Sequence, residues 1–468
     1  MEVLLVTGKL AEKIVKKYSM GFEVCVVDVD VAAFITPKHL ENLDLSKYDL
    51  VLVPGLTAEN DWENFEKKKG TKIRLGPIHA YDLQHVLKFV GKVEFSHKIP
   101  ACKLLGISIA NEVKSKIDEL EKDCKFKIRE MSVGGKSRMK VVAEIAKFSL
   151  EEIEDKIQSY EDADVIDIGI PLDFDPDLVR KAIKLTLNLT DKPVSVDTFS
   201  KKAIEIAVKC GVDMIMSLST ENFDAIDLID EQAVVIVSKN VFELKKLVEM
   251  AKRRTEKVIA DPVCDPPMNF ASSIVRYFEY KKLDPETPLL FGAGNITELC
   301  DADSIGMNAL LAFIAEELDC SLIFTTEASP KTVGSVKELK IATYLAKASK
   351  IRDSPPKDLG FSLLVLKEKV RYPSSIENCV EAEESKEFVR DPCGDFTIHV
   401  SDKIYCKHEK LTICGKKSKA IVDTILREGL VSRLDHAAYL GRELMKAEIA
   451  LRLKKNYVQD QDLNFGIY

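Results

Sequence analysis

Ala163-Asp164-Val165-Ile166-Asp167-Ile168-Gly169 and, one helix-length later, Pro193-Val194-Ser195-Val196-Asp197-Thr198 decide how this chain is read. Each is a short β-branched run that closes on a carboxylate and a small residue, and an amphipathic stretch separates the two. The pattern recurs at Asp213-Met214-Ile215-Met216-Ser217, Ala233-Val234-Val235-Ile236-Val237 and Val258-Ile259-Ala260-Asp261-Pro262. It returns at Pro288-Leu289-Leu290-Phe291-Gly292 and Cys320-Ser321-Leu322-Ile323-Phe324-Thr325, and residues 140–145 stand ahead of the series. Buried parallel strands read as continuous apolar runs because helices cover both faces of their sheet. Eight strand–helix units in roughly 210 residues predict an α/β chain with a central (β/α)8, or TIM, barrel, whose site lies at the C-terminal strand ends. Asp167, Asp197 and Asp261 all fall at such ends.

Outward from the barrel, residues 1–110 predict an N-terminal α/β domain. Residues 3–7, 22–28, 50–53 and 73–77 are strand-like, and 10–18 and 82–90 are helical in pattern. Gly or Pro follows several of these strands, so the carboxyl edge of the sheet is weighed as a ligand site against a structural or docking role. Thr7-Gly8-Lys9 lacks the P-loop spacing, and no GxGxxG occurs here. Trp62, the one tryptophan, is expected at a cap or an interface.

Residues 111–354 form the expected barrel domain. A charged helix over 112–123 leads into it, and residues 126–139 suit a hairpin that plugs its bottom. Gly134-Gly135-Lys136-Ser137 lies on that bottom face and is assigned to structure rather than to a phosphate.

After Ser354-Pro355-Pro356 the period changes, and residues 355–468 predict a small C-terminal α+β domain. It should contain a strand over 361–366, a hairpin pairing 396–400 with 403–407, and helices over 415–427 and 432–453, the last unusually long. Leu434, Ala438, Leu440 and Leu444 on that helix suit packing on a neighbouring domain or a second subunit. A homodimer through this helix or the barrel is therefore an open expectation. Cys393, His399, Cys406, His408 and Cys414 match no zinc-ligand spacing, and no metal is assigned to them.

The 468 residues exceed one ordinary core, and 46% are apolar, which suits large buried cores. The net charge of -8 is spread over both signs without a basic run, which argues against a double-stranded nucleic-acid partner. No apolar run is long enough to span a bilayer, and Met1 opens no secretory signal. A cytoplasmic protein with no nucleic-acid or membrane partner is expected. The 11 scattered cysteines read as buried thiols of a reducing compartment.

The loops after the strands add candidates. Asp261-Pro262-Val263-Cys264-Asp265-Pro266-Pro267-Met268-Asn269-Phe270 is a stiffened rim that offers Asp265 and Asn269. Strand seven ends in Gly292-Ala293-Gly294-Asn295, where glycine allows close backbone approach and Asn295 can both donate and accept. Strand eight runs into Thr325-Thr326-Glu327-Ala328-Ser329-Pro330-Lys331-Thr332, which adds Thr326 and Glu327 to the rim. The first strand ends at Glu144-Ile145-Ala146 without a conspicuous nucleophile. A carboxylate at a pocket bottom is costly unless it meets donors. Three around one mouth suit a metal such as Mg²⁺, or a planar heterocycle with a guanidine-like edge, while any single one could cap the following helix.

Asp164-Val165-Ile166-Asp167-Ile168-Gly169, Val194-Ser195-Val196-Asp197-Thr198 and Ala260-Asp261-Pro262 resemble the pterin-binding barrel shared by dihydropteroate synthase and the methyltetrahydrofolate methyltransferases. More narrowly, the arrangement is similar to the archaeal dihydropteroate synthase-related proteins, which add domains on both sides. The resemblance covers residues 125–350. It implies a transferase whose substrate is a reduced pterin of the tetrahydromethanopterin or folate type. Asp197 and Asp261 would hold the pterin edge, with Gly292, Gly294 and Asn295 beside it. Asp167, Asn295 and Lys331 would serve the chemistry.

The chain departs from the synthases at four places. Ala143-Glu144-Ile145-Ala146-Lys147 replaces their Asn-containing segment after strand one, and Met216 their strand-four Asn. Gly294-Asn295-Ile296-Thr297 replaces Ser-Arg-Lys, and Thr326-Glu327 stands where an Arg is expected. Two reactions follow from the resemblance. Condensation of a pterin pyrophosphate with an arylamine needs Mg²⁺ or cationic clamps, for which Lys147 and Lys331 are candidates. Methyl transfer from N5 would use Asn295 and a water held by Asp167. No Asp-x-His-x-x-Gly cobalamin motif occurs, so any corrinoid would come on a separate partner protein. A pterin-binding module without chemistry is the third alternative.

Overall fold

The computed structural model describes residues 1–105, 109–146, 149–357, 359–368, 379–384 and 387–466, without the side chains of 109 and 110. Lys147, one of the two cationic candidates, lies outside the described residues. The chain divides into two compact units, Met1–Lys367 and Glu368–Tyr468.

In the first unit, four parallel strands form a sheet in the order Glu23–Val26, Val3–Thr7, Leu50–Val53, Ile73–Leu75. Side chains alternate across a strand, so Leu4, Val6, Val51 and Val53 meet Trp62 in one core, while Val3, Leu5, Leu50 and Leu52 meet Leu83 and Val86 in another. Trp62 is therefore a core residue rather than a cap or interface aromatic, its indole N–H donating to the Thr57 carbonyl at 2.8 Å. The helix expected over 82–90 is broken into short turns, Ala80–Asp82, Leu83–Val86 and Leu87–Phe89, ahead of Gly91 at φ +77.

The rest of this unit is a closed barrel of eight parallel strands. They are Lys140–Ile145, Val165–Gly169, Val194–Asp197, Met214–Leu218, Ala233–Val237, Val258–Asp261, Leu289–Gly292 and Cys320–Thr326. Val142, Val165, Met214, Met216, Val235, Ile259, Leu290 and Leu322 fill the interior. The antiparallel hairpin of Phe126–Ile128 and Met131–Val133 closes the bottom, with Ile128 and Val133 packed on those residues. Gly134 and Gly135, at φ +75 and +62, turn the chain out of that hairpin, and Lys136 pairs with Asp123 at 3.0 Å. This stretch is a turn at the bottom of the barrel, where its position before strand one put it.

Among the described residues α-helices follow seven of the eight strands and cover the outside, and after strand four only the 3-10 segment Phe223–Leu228 takes that place. Asp175, Ser200 and Asn240 cap the helices after strands two, three and five through side-chain bonds to backbone amides. Asp167, Asp197 and Asp261 cap none, which removes the helix-cap reading for all three.

The second unit holds an antiparallel sheet of Thr397–Val400, Ile404–Lys407 and Thr412–Gly415, followed by helices Ser418–Arg427 and Leu434–Leu453. The hairpin matches expectation, and the third strand was not anticipated. Leu440, Leu444 and Ala447 of the long helix lie in this unit's own core, while Leu434 is 89% exposed. Cys406 is buried, and the register places His399, Tyr405 and Cys414 in one cross-strand row, out of step with it. The His408 ring is taken up by the Cys393 carbonyl at 2.9 Å and the Lys410 amide at 3.2 Å.

The strand expected over 361–366 does not form. That segment is irregular, and Leu364, Val365 and Leu366 are more than half exposed. Strand-like composition is not enough without a partner to pair with. Among the described residues no helix is long and apolar enough to cross a membrane.

Candidate functional site

The barrel's hydrogen-bond register builds the site. Glu144 stands opposite Asp167, Gly169 opposite Asp197, Asp197 opposite Met216 and Val237 opposite Asp261. Two residues beyond the apolar filling at Val142, Val165 and Ile259, the same inward alternation delivers Glu144, Asp167 and Asp261 to the mouth. One carboxylate oxygen each from Glu144, Asp167 and Asp197 lies within 4.8 Å of the others.

Asp167 is fully buried and accepts the Ser195 hydroxyl at 2.5 Å, while its Oδ2 has no partner. Asp197 accepts the Ser217 hydroxyl. A register shift in strand four and a φ of +70 at Ser217 present that hydroxyl. Asp261 Oδ1 accepts the Val263 amide at 2.7 Å and the Tyr277 hydroxyl at 2.9 Å. None of these four acids forms an ion pair with a described residue.

Burial governs their titration. It pushes Glu144 up to about 7, helped by Asp197 and Glu298. It raises Asp167 well above its ordinary value, helped by Asp197 and Glu144. Asp261 rises to about 6 because burial outweighs its bonds from Val263 and Tyr277. Asp197 is raised by burial against the opposing Ser217 bond. Like charges this close cannot all ionise, so the cluster holds protons near neutrality unless a cation or an N–H-rich ligand replaces them. Both kinds of occupant fit this donor set chemically.

The surrounding residues divide by what already holds them. Gly169 is required by Glu144, since a Cβ there would stand 2.3 Å from Glu144 Oε1. Gly292 and Gly294 are buried, and a Cβ on Gly292 would meet Asn295 Nδ2 at 3.3 Å. The Asn295 amide donates to the Cys264 carbonyl at 2.8 Å. Asp265 is tied to Lys239 at 2.6 Å and Arg276 at 2.7 Å, which hold it down at about 2. Asn269 is exposed at the head of the next helix.

Thr326, opposite Glu144, is buried with its hydroxyl unpartnered. Glu327 accepts the Val336 amide at 3.0 Å, and Lys331 is an exposed rim residue paired with Asp301 at 2.8 Å.

Asp167 and Asp197 thus converge, with Asp261 near enough to feel Asp197. Asp265, Glu327 and Lys331 are engaged elsewhere. The sequence reading missed Glu144, Ser195, Ser217 and Tyr277. The first two could have been found by counting two residues on from Val142 and back from Asp197. Ser217 depends on a bulge, and Tyr277 comes from a helix with no local signal.

The closed parallel barrel and its acid-lined mouth define an α/β-barrel protein. The chain is 37% identical to the uncharacterized protein MJ0107 of Methanocaldococcus jannaschii over 99% of both chains, and it belongs to that protein's family. Residues 390–460 match the family model PterinBD-DUF4346. Among solved structures, the chain is similar to dihydropteroate synthase of Yersinia pestis, at 17% identity over 48% of this chain and 98% of that one, with a TM-score of 0.37. It is also similar to the Xanthomonas albilineans dihydropteroate synthase in complex with 7,8-dihydropteroate, at 20% identity over 43% and 92%, with a TM-score of 0.34. These likenesses are too distant to carry an activity across.

Proposed function

We propose that the barrel binds a reduced pterin at Asp197 and Asp261 and transfers a group to or from it. The observation that carries this reading is the pair of half-buried carboxyls at the ends of strands three and six, which form no ion pair with a described residue and face one mouth. A pterin presents amino and ring N–H groups along one edge, and buried carboxyl oxygens are suited to accept them. The family description PterinBD-DUF4346, matched by residues 390–460, agrees with a pterin-linked role. Calorimetric titration with tetrahydrofolate or tetrahydromethanopterin tests it. Asp197→Asn and Asp261→Asn should each weaken binding by roughly 30- to 150-fold, about 2 to 3 kcal/mol. Equal affinity in all three proteins rejects the proposal.

For the transfer itself, the acid-lined mouth favours methyl transfer from N5 over condensation. Departure of the methyl group requires a proton or hydrogen bond at N5, and Glu144, pushed up to about 7, can supply the proton beside an Asp167 that burial also raises. Asn295, with its amide anchored on Cys264, would orient the ring. The acceptor would be a small molecule or a corrinoid on a separate protein. Condensation with an arylamine is supported by one feature, the exposed Lys331, whose Asp301 partner an anionic leaving group could displace. Mg²⁺ would then be required. Product analysis by mass spectrometry separates the two. Methyl transfer should fail in Asn295→Ala and ignore Lys331→Ala, whereas condensation should need Mg²⁺ and fall at least tenfold in Lys331→Ala. Pterin binding with neither product identifies a binding module.

A further inference from the structure

We infer that the N-terminal sheet carries a second small-molecule site, for an uncharged and mainly apolar ligand that lacks phosphate. A cavity of about 410 Å³ opens at the carboxyl edge of this sheet, floored by Thr7, Pro54 and Pro77 and walled by Ile14 and Tyr81. The strand order explains why it is there. The chain leaves Val3–Thr7 to one side for Glu23–Val26 and then crosses to the other side for Leu50–Val53. The two connections diverge beyond the carboxyl ends of Val3–Thr7 and Leu50–Val53, which is where open parallel sheets receive ligands. Small-molecule pockets span roughly 300 to 1,000 Å³, so the cavity suits an occupant on the order of twenty non-hydrogen atoms.

Its chemistry excludes the ligands most often found at such an edge. Among the described residues no Lys or Arg lines the cavity, whose lining does include His79 and Asp353. The amides of Lys9 and Leu10, which would cradle a phosphate, instead donate to the carbonyls of Val29 and Asp30 at 2.9 and 3.1 Å. Gly8 leaves no room for an anion on that side, since even a Cβ there would meet the Val29 carbonyl oxygen at 2.7 Å. Apolar side chains dominate the lining, and its lips, Leu10 and Leu56, are 76% and 47% exposed. Two hydroxyls supply a polar handle. Thr7 is buried, with only a 3.4 Å contact to the adjacent Gly8 carbonyl, and Ser354 Oγ is buried without a partner. Ser354 follows the last barrel helix, so the chain leaving the barrel forms one wall.

Fluorescence titration of the full-length protein with N-phenyl-1-naphthylamine, a neutral apolar probe, tests this. One saturable site is expected, with affinity at least tenfold weaker in Ala33→Trp and Leu56→Trp, which fill the cavity from its half-buried wall and exposed lip. Both variants should melt as the wild type does, and Leu56→Trp decides alone if Ala33→Trp melts lower. Millimolar ATP and tetrahydrofolate should leave the probe bound. Absence of a saturable site, wild-type affinity in a normally melting Leu56→Trp, or displacement by either competitor overturns the inference.

Discussion

Glu144 shows at the scale of one residue how the barrel mouth sets the protein's response to pH. Its carboxyl titrates near 7 in the folded chain, chiefly through burial, against 4.5 ordinarily. Between those values the native state holds a proton that the unfolded state has released. This contribution to stability is complete below pH 4.5 and is lost as pH rises through 7, by about 3 kcal/mol when fully developed. Asp261 adds the same sign between 3.8 and about 6. Glu144→Gln keeps the shape and removes the titration. Urea denaturation should therefore find the variant and wild type nearly equal at pH 5 and the variant more stable at pH 8, by about 1 to 3 kcal/mol. A difference that does not change with pH would show that Glu144 ionises freely. Gly169 belongs to the same argument, because Gly169→Ala drives a methyl into Glu144 Oε1. It should cost about 1 to 3 kcal/mol in the same assay, and clearly less when Glu144 is also shortened to Ala. Asp197 and Asp261 were legible in sequence because each ends its strand, and Asp167 because Gly169 closes its run two residues on. Glu144 was not, because Ile145-Ala146 carry the apolar run past it with no glycine to close the strand.

At the scale of elements, the strands were legible because burial on both faces leaves an uninterrupted apolar run, while Asp175, Ser200 and Asn240 start the helices after strands two, three and five as ordinary caps. Residues 361–366 misled because propensity was read without a pairing partner. The loop after strand six was read as a rim stiffened by its prolines, yet it is an Arg276 side chain from the next helix that holds it. That guanidinium donates to the Pro262 and Val263 carbonyls and to Asp265. Val263 is held at φ +70, a costly conformation for a β-branched residue. The Val263 amide in turn fixes Asp261. Arg276→Met should therefore loosen Asp261 without touching it. The expected result is a loss of about 1 to 3 kcal/mol in stability and at least tenfold in pterin affinity by calorimetry. Full affinity in a destabilised variant would show that the loop orders Asp261 unaided.

At the scale of the first unit, a fully buried ion pair couples the N-terminal sheet to the barrel. Arg352, the last residue of helix Ser335–Arg352, donates to Asp82 Oδ1 at 2.8 Å, and both side chains are completely buried. The guanidinium also lies over the Tyr81 ring, 4.4 Å from its centroid. No local pattern reveals a contact between residues 270 positions apart, so this part of the fold was illegible in the sequence. Desolvating two charges offsets much of their attraction, so such a pair need not add net stability, but removing one partner strands the other. Asp82→Asn should cost about 3 to 5 kcal/mol in urea unfolding of the full chain. Asp82→Leu with Arg352→Met removes both charges and leaves apolar groups of similar size. It should regain most of that loss, giving a coupling energy of at least about 2 kcal/mol in the double-mutant cycle. Tyr81 also lines the cavity at the carboxyl edge of the sheet. Additive costs in the cycle would show that the two charges do not act on each other and that other contacts hold the sheet to the barrel.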